Sequence, residues 1–496
     1  MATLSFPPSF VWGAATAAYQ IEGGHREDGR TDSIWDAFAK VPGAVSGGAD
    51  GAIACDHYHR MPTDVALLKD LGITNYRFST SWSRVRPDGL PNPRGLDFYS
   101  RLVDELLEAG ITPWLTLEHW DLPQSIEQRG GWRVRETAQL FADFTTDVVA
   151  KLGDRVSHFI TLNEPWCQAF LGYGSGYHAP GRASAAEAVD AAHVLLLAHG
   201  LGLERIRELA PSAKAGIVVN LTVANPLDPQ NPADQEAARL VEGAQNRVFL
   251  DPIFKGSYPS DILESMAGAG LGRIAQPEDF RIISAPMDFI GVNFYNGCQV
   301  AGAGAHTQPS EGTAANVPTP AGNDATSEAT SQATAKPSPY VGTEGVRWVP
   351  RALPHTAMDW EVWAPDLTTA LVNLHEEYSG PAGIPIYVSE NGAAYDDVVD
   401  DHGFVDDSGT RQRYIAEHIT AVHDAIEGGA NVDGYFVWSF MDNFEWSQGY
   451  RARFGVVRVD YDTLERIPKA SAGFFSEVIT QNSISESRPD LQSVLN

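Results

Sequence analysis

Two short motifs carry residue types that could break a glycosidic bond. Thr161-Leu162-Asn163-Glu164-Pro165 lies near the end of the first third of the chain. Val388-Ser389-Glu390-Asn391-Gly392 lies near the last quarter. Each glutamate ends a short apolar run of the kind that forms a buried strand. Two carboxylates delivered to one pocket by separate strands can share the work of displacement at a sugar carbon. One stays protonated for the leaving oxygen, and the other stays ionised to attack.

The elements that would position them follow a repeating rhythm. Apolar, β-branched or aromatic runs occur at Phe10–Ala14, Ile73–Ser79, Pro113–Trp120, His158–Glu164, Ala215–Asn220, Asp288–Tyr295, Ile384–Glu390 and Val432–Phe440. Near-continuous apolarity marks strands of a parallel sheet covered on both faces. Helix-like stretches lie between them. In Asp97–Ala109, Phe98, Leu102, Leu106 and Leu107 fall on one face, Asp97 can cap the start and Gly110 can end it. Eight βα units predict a single-domain α/β fold, a (β/α)8 TIM barrel with long loops over residues 1–480. A doubly wound open sheet is the alternative. Residues 301–345 are rich in small and polar types and poor in large apolar ones. They predict a mobile loop after the sixth strand, close to the pocket mouth. Residues 481–496 read as a polar, loosely held tail.

The ends of these strands are polar for their apolar setting. They offer Gln20 and Glu22 after strand one, Arg77 on two, and Glu118, His119 and Trp120 on three. Asn163 and Glu164 end strand four, Asn293 and Tyr295 strand six, and Glu390 and Asn391 strand seven. Trp438, Glu445 and Trp446 follow on and after eight. In a barrel, residues at the C-terminal strand ends form the site.

These residues, in this order, resemble glycoside hydrolase family 1, the β-glucosidase family. The likeness runs from Phe10 to about Ile479. It rests on three motifs: Phe10 to Gly23 (FVWGAATAAYQIEG), Thr161 to Pro165 (TLNEP) and Ile386 to Gly392 (IYVSENG). The resemblance implies a retaining β-glucosidase acting on cellobiose, short β-linked oligosaccharides or aryl β-glucosides, with Glu390 as nucleophile and Glu164 as acid/base. Retention implies carboxyl groups about 5–5.5 Å apart. Arg77 and Tyr295 match positions that favour the ionised nucleophile, and Asn293 matches one on the 2-hydroxyl side. Gln20, His119, Trp120, Asn163, Glu445 and Trp446 match the glycone subsite, with Trp438 as the platform beneath the ring. Trp166, Leu171, His178 and Trp360 match the aglycone entrance. Trp166 with Leu171 is similar to the pair of glucose-tolerant members, which implies a narrowed entrance and weak product inhibition. A carboxylate at Glu445, where relatives that cleave phosphorylated glycosides carry serine, implies an unphosphorylated glycone. Galactosidase or fucosidase side activity and transglycosylation stay open.

Composition narrows the partners. Lys+Arg 35 against Asp+Glu 64 gives a net charge of −29, which disfavours nucleic acid and anionic membranes. No apolar run of 18 residues is present, so no membrane span is expected. Three cysteines, Cys55, Cys167 and Cys298, show no paired spacing, and the first residues show no leader pattern, so a reducing, cytoplasmic setting is expected. No cofactor motif occurs, and Asp56, His57 and His59 lack a ligand geometry, so no cofactor and no metal are expected. The expected partner is a small β-glucoside; the sequence assigns no oligomeric state. A sugar-binding barrel without catalysis and a metal-dependent barrel hydrolase are the competing readings.

Overall fold

The computed structural model describes residues 3–303 and 336–488. Eight parallel strands close into a barrel: β1 (Val11–Ala15), β2 (Asn75–Ser79), β3 (Thr112–Glu118), β4 (His158–Asn163), β5 (Lys214–Asn220), β6 (Phe289–Asn293), β7 (Ile386–Asn391) and β8 (Val432–Trp438). Each strand pairs with its successor, and β8 closes on β1. All eight expected strands are present, with their ends shifted by a few residues.

Strand alternation fills the barrel. Trp114, Phe289, Tyr387 and Phe436 point inward and meet at its centre, with Trp114 4.9 Å from Tyr387 and 5.2 Å from Phe436 between ring centroids. β1 must make room for this layer. A Cβ at Gly13 would stand 2.3 Å from the Phe436 ring, which explains the glycine there. Two residues further along, Thr116 and Ser389 bring polar groups inward beside Trp438, and the functional side chains stand on this aromatic floor.

The helix between β2 and β3 spans Pro93–Glu108, earlier than expected. Pro93 supplies the preorganised first turn and Asn92 is the cap residue. Asp97 is therefore not a cap; it lies inside the helix and pairs with Lys151 at 2.7 Å. Phe98, Leu102 and Leu106 are buried as expected, but Leu107 is 42 % exposed, because it lies one position off the buried stripe. Gly110 follows the helix with φ +79°, the left-handed stop that glycine allows. Ala185–Leu209 is long and apolar enough to cross a membrane by length and composition alone. It is buried along most of that length between its neighbours in the barrel's outer layer, which accounts for its apolarity.

Two loop expectations change. Of 301–345, residues 304–335 lie outside the described residues, and the flanks are built into the fold. Cys298–Ala301 pairs with Arg347–Trp348 and with Ala224–Pro226, while Tyr340 and Val341 are buried. The start of the tail is also held. Ser483–Ser485 pairs antiparallel with Thr3–Ser5, Ile484 is buried, and Asn482 donates to the Phe6 carbonyl at 2.9 Å. Backbone pairing and one apolar side chain anchor a segment whose composition reads as loose.

Candidate active site

Glu164 and Glu390 meet at the C-terminal mouth of the barrel. The ladders around them shift register: between Ile160 and Asn163 against β5, and between Val388 and Glu390 against β6. Such irregularities re-aim a side chain at a strand end. On β7 the shift lets two successive residues reach the interior: Ser389 Oγ donates to Asn293 Oδ1 at 2.8 Å, and Glu390 meets Arg77. Glu164 leaves β4 with φ +47°, and the chain turns at once into the segment starting at Cys167.

One polar network joins the two carboxylates. Arg77 Nη1 donates to Glu390 Oε1, and Tyr295 OH donates to Oε2 at 2.6 Å. Arg77 Nη2 donates to Asn163 Oδ1 at 2.6 Å, and Nε to Thr116 Oγ1 at 3.2 Å. Asn293 Nδ2 donates both to Asn163 Oδ1 at 3.0 Å and to Glu164 Oε1 at 2.6 Å. The acid and the nucleophile are thus fixed by one frame of amides and a guanidinium.

The network gives the two carboxyls different electrostatics. Burial pushes Glu164 up to about 8, the Glu390 charge adds to the rise, and the Asn293 and Cys167 hydrogen bonds oppose it. Burial also pushes Glu390 upward, but Arg77 and then Tyr295 pull against it. The cation and the phenol are therefore spent on Glu390, while Glu164 keeps its proton through neutral pH.

The glycone expectations converge on the same cleft. His119, Trp120, Trp438, Glu445 and Trp446 line it. Asn163 Nδ2 donates to His119 Nε2 at 3.0 Å, and burial, helped by Arg77, holds the imidazole well below its ordinary pKa. The neutral ring then carries its proton on Nδ1, which makes no hydrogen bond among the described residues. Trp120 Nε1 donates to the Asn163 carbonyl at 2.9 Å. Burial, then the Glu390 and Glu164 charges, push Glu445 up to about 8. Arg77, Asn163 and Gln20 hydrogen-bond to residues of the wall, namely Glu390, His119 and Glu445. Gln20 Nε2 donates to Asn443 Oδ1 at 2.9 Å and the Phe444 carbonyl at 3.0 Å, and it approaches Glu445 Oε2 at 3.3 Å. Gln20 thus holds the loop that presents Glu445, and its Oε1 makes no hydrogen bond among the described residues. Glu118, also polar at a strand end, is turned away: Oε1 accepts from the Trp120 N–H at 3.0 Å and from Gln168 at 2.9 Å.

Trp166, Leu171, His178 and Trp360 line the cleft as well. Trp166 Nε1 donates to the Ala244 carbonyl at 3.1 Å, and its ring lies 5.2 Å from Tyr340. His178 packs 5.4 Å from Trp120, and burial pushes it down to about 3. Sequence reasoning missed Asn220, Thr222, Gln245, Tyr340 and Phe454 on this wall. Asn220 was visible, since it is the terminal polar residue of β5. Tyr340 was hidden in a stretch of small polar residues. His57 turns away from Asp56 and His59: it binds Asp64 at 2.8 Å, while His59 contacts Asp56 at 2.5 Å and Glu27 at 3.0 Å.

A parallel barrel presenting two buried glutamates, one backed by a cation and one protonated, defines a carboxylate-pair glycoside hydrolase. Residues 2–484 match the family model for glycosyl hydrolase family 1, and the chain belongs to that family. It is 45 % identical to thermostable beta-glucosidase B of Thermobispora bispora over 97 % of this chain and 92 % of that protein. It is 42 % identical to the bifunctional beta-D-glucosidase/beta-D-fucosidase of Bifidobacterium breve, covering 97 % and 99 %. The crystal structure of psychrophilic beta-glucosidase BglU from Micrococcus antarcticus superposes with a TM-score of 0.90 at 48 % identity, covering 97 % of this chain and all of that one.

Proposed function

We propose that this glycoside hydrolase removes terminal β-D-glucosyl residues with retention, through a covalent glycosyl-enzyme on Glu390. The observation that carries the reading is the division of labour between the two carboxyls: Arg77 and Tyr295 serve Glu390, while burial and the Glu390 charge keep Glu164 protonated. Glu390 attacks the anomeric carbon as Glu164 protonates the departing oxygen. The ester has no charge, so the Coulombic part of the Glu164 rise disappears. Glu164 then ionises more easily and takes a proton from the water that releases the sugar. The carboxyls titrate as a pair. The relatives' names support glucose as the glycone, and the bifunctional relative supports fucosides as a second substrate.

An unphosphorylated glycone fits the wall. Glu445 faces it, and no Lys or Arg lines the described cleft, whereas a phosphate calls for cations. Gln20, Asn163 and Asn293 act by holding Glu445, His119 and Glu164 in place. The compartment read here is the cytoplasm, supported by three free, buried cysteines.

A chromogenic β-glucoside tests the reading. Wild type is expected to release the chromophore, and Glu390→Gly to lose on the order of 10⁴-fold or more in kcat. Azide, a small anion that fits the vacated carboxylate position, should restore part of that rate. A variant as active as wild type would remove Glu390 from its role.

A further inference from the structure

We propose that Glu118, the last residue of β3, is a positioning residue of the glycone wall: a neutral acid, paired with Gln168, that fixes the turn presenting Trp120. The inference rests on the glucosidase reading above and adds a residue that does not itself line the cleft. Trp120 needs such support. Its backbone has φ +76°, a left-handed value that a bulky side chain rarely adopts. A conformation of this kind persists only where its surroundings hold it. Two bonds do so: the Trp120 N–H donates to Glu118 Oε1 at 3.0 Å, and the indole Nε1 donates to the Asn163 carbonyl at 2.9 Å. His119 lies in the same turn, and both side chains line the cleft.

Glu118 reaches the acid as well. Gln168 Nε2 donates to Glu118 Oε1 at 2.9 Å, and Gln168 lies in the π-type segment that begins at Cys167, directly after Glu164. One carboxyl oxygen thus ties the end of β3 to the chain that leaves the acid/base residue.

The atoms left over point to the protonation state. Glu118 Oε2 and Gln168 Oε1 are buried, and no donor reaches either among the described residues. An ionised Glu118 would be a fully buried charge with one bare oxygen, which is costly. A proton on Oε2 turns one of these two acceptors into a donor, and the acceptor left open on its partner is Gln168 Oε1. The two planar groups then form an acid–amide pair. The electrostatics agree: burial pushes Glu118 up to about 8, and the charge of Asp121 in the same loop adds to the rise. The segment after β4 faces Glu118 with the neutral Gln168 amide. Arg30 acts on Asp121 instead, together with Glu22 and Asp36.

Two variants test the role. Glu118→Gln keeps every bond: its carbonyl accepts from Trp120 and Gln168, and its amide donates where the acid proton stood. Glu118→Leu keeps the bulk but leaves the Trp120 N–H buried without an acceptor. The wall holds the glycone in ground state and transition state alike, so the loss should appear in KM more than in kcat. KM for p-nitrophenyl β-glucoside is expected to stay within about twofold of wild type in Glu118→Gln and to rise about tenfold in Glu118→Leu. KM does not depend on the fraction of enzyme that folds. An unchanged KM in Glu118→Leu, or equal rises in both variants, would overturn the positioning role. The infrared carbonyl stretch reads the proton directly. Wild type at about pH 6 should show a protonated-carboxyl band that Glu118→Gln lacks and that fades as pH rises through about 8. Identical spectra would overturn the neutral acid, even if Glu118→Leu does not fold. Turnover of the aryl glucoside by wild type is a separate readout and checks the glucosidase reading independently.

Discussion

The two sides of the cleft are built on opposite plans. On the side of β2, β4, β6 and β7, Arg77, Asn163, Asn293, Ser389 and Tyr295 bond to one another and to the two glutamates in one frame. At the end of β5, between β4 and β6, and in the segment after it, aromatic rings stand beside Asn220 and Gln245, whose side-chain oxygens make no hydrogen bond among the described residues. The difference separates chemistry from selection. A closed frame of oriented dipoles needs no reorganisation when charge develops, which is what lowers a barrier. A wall with open valences waits for its partner and can be altered without disturbing that frame.

Damage to the closed side should therefore be large and should depend on the leaving group. Glu164→Gln keeps the shape and the Asn293 contact but removes the transferable proton. It is expected to cost about 10²–10⁴-fold in kcat/KM for cellobiose. The loss should be smaller for p-nitrophenyl β-glucoside, whose leaving group departs without protonation. Equal losses on both substrates would mean that Glu164 acts by holding the frame and not by giving a proton.

Tyr295→Phe sharpens the same contrast through pH. In wild type, Glu164 must hold its proton, so kcat/KM falls as pH rises through about 8. Glu390 must be ionised, so activity also falls as pH drops through its own pKa. The Tyr295 hydroxyl favours the charged carboxylate. Its removal raises that pKa and moves the acid limb to higher pH, with about tenfold lower kcat/KM near neutrality. A uniform loss with an unmoved acid limb would assign Tyr295 to packing alone.

The closed side was largely legible in the sequence because it is written at strand ends. Glu164, Asn293 and Glu390 stand at the ends of apolar runs, Arg77 lies two residues inside the end of its own, and a barrel gathers such ends in one place. What could not be read was layering: Gln20 and Asn163 look like sugar contacts, yet much of their hydrogen bonding holds neighbouring residues. The register shifts that turn Glu164 and Glu390 inward leave no mark in composition. The open wall was harder still. Its residues come from a π-type turn and from the flank of a small-residue stretch, where no period marks Gln245 or Tyr340.

The smallest expected effect lies at the aromatic edge of that wall. The Trp166 indole is pinned by the Ala244 carbonyl and packs tilted against Tyr340, with Leu171 also on the cleft surface. A rigid ring in this position takes up room that a returning glucose would fill, so it weakens glucose binding. Trp166→Ala leaves the network of Arg77, Asn163 and Asn293 untouched, so the chemistry should persist while that room opens. The glucose inhibition constant, measured against an aryl glucoside, is expected to fall about threefold to tenfold, a change of roughly 0.7–1.4 kcal/mol. The size is modest because one lost ring removes a steric barrier and not a charge. If the constant stays at its wild-type value, the aromatic edge does not govern product return, and the two sides of the cleft differ only in which leaving group they accept.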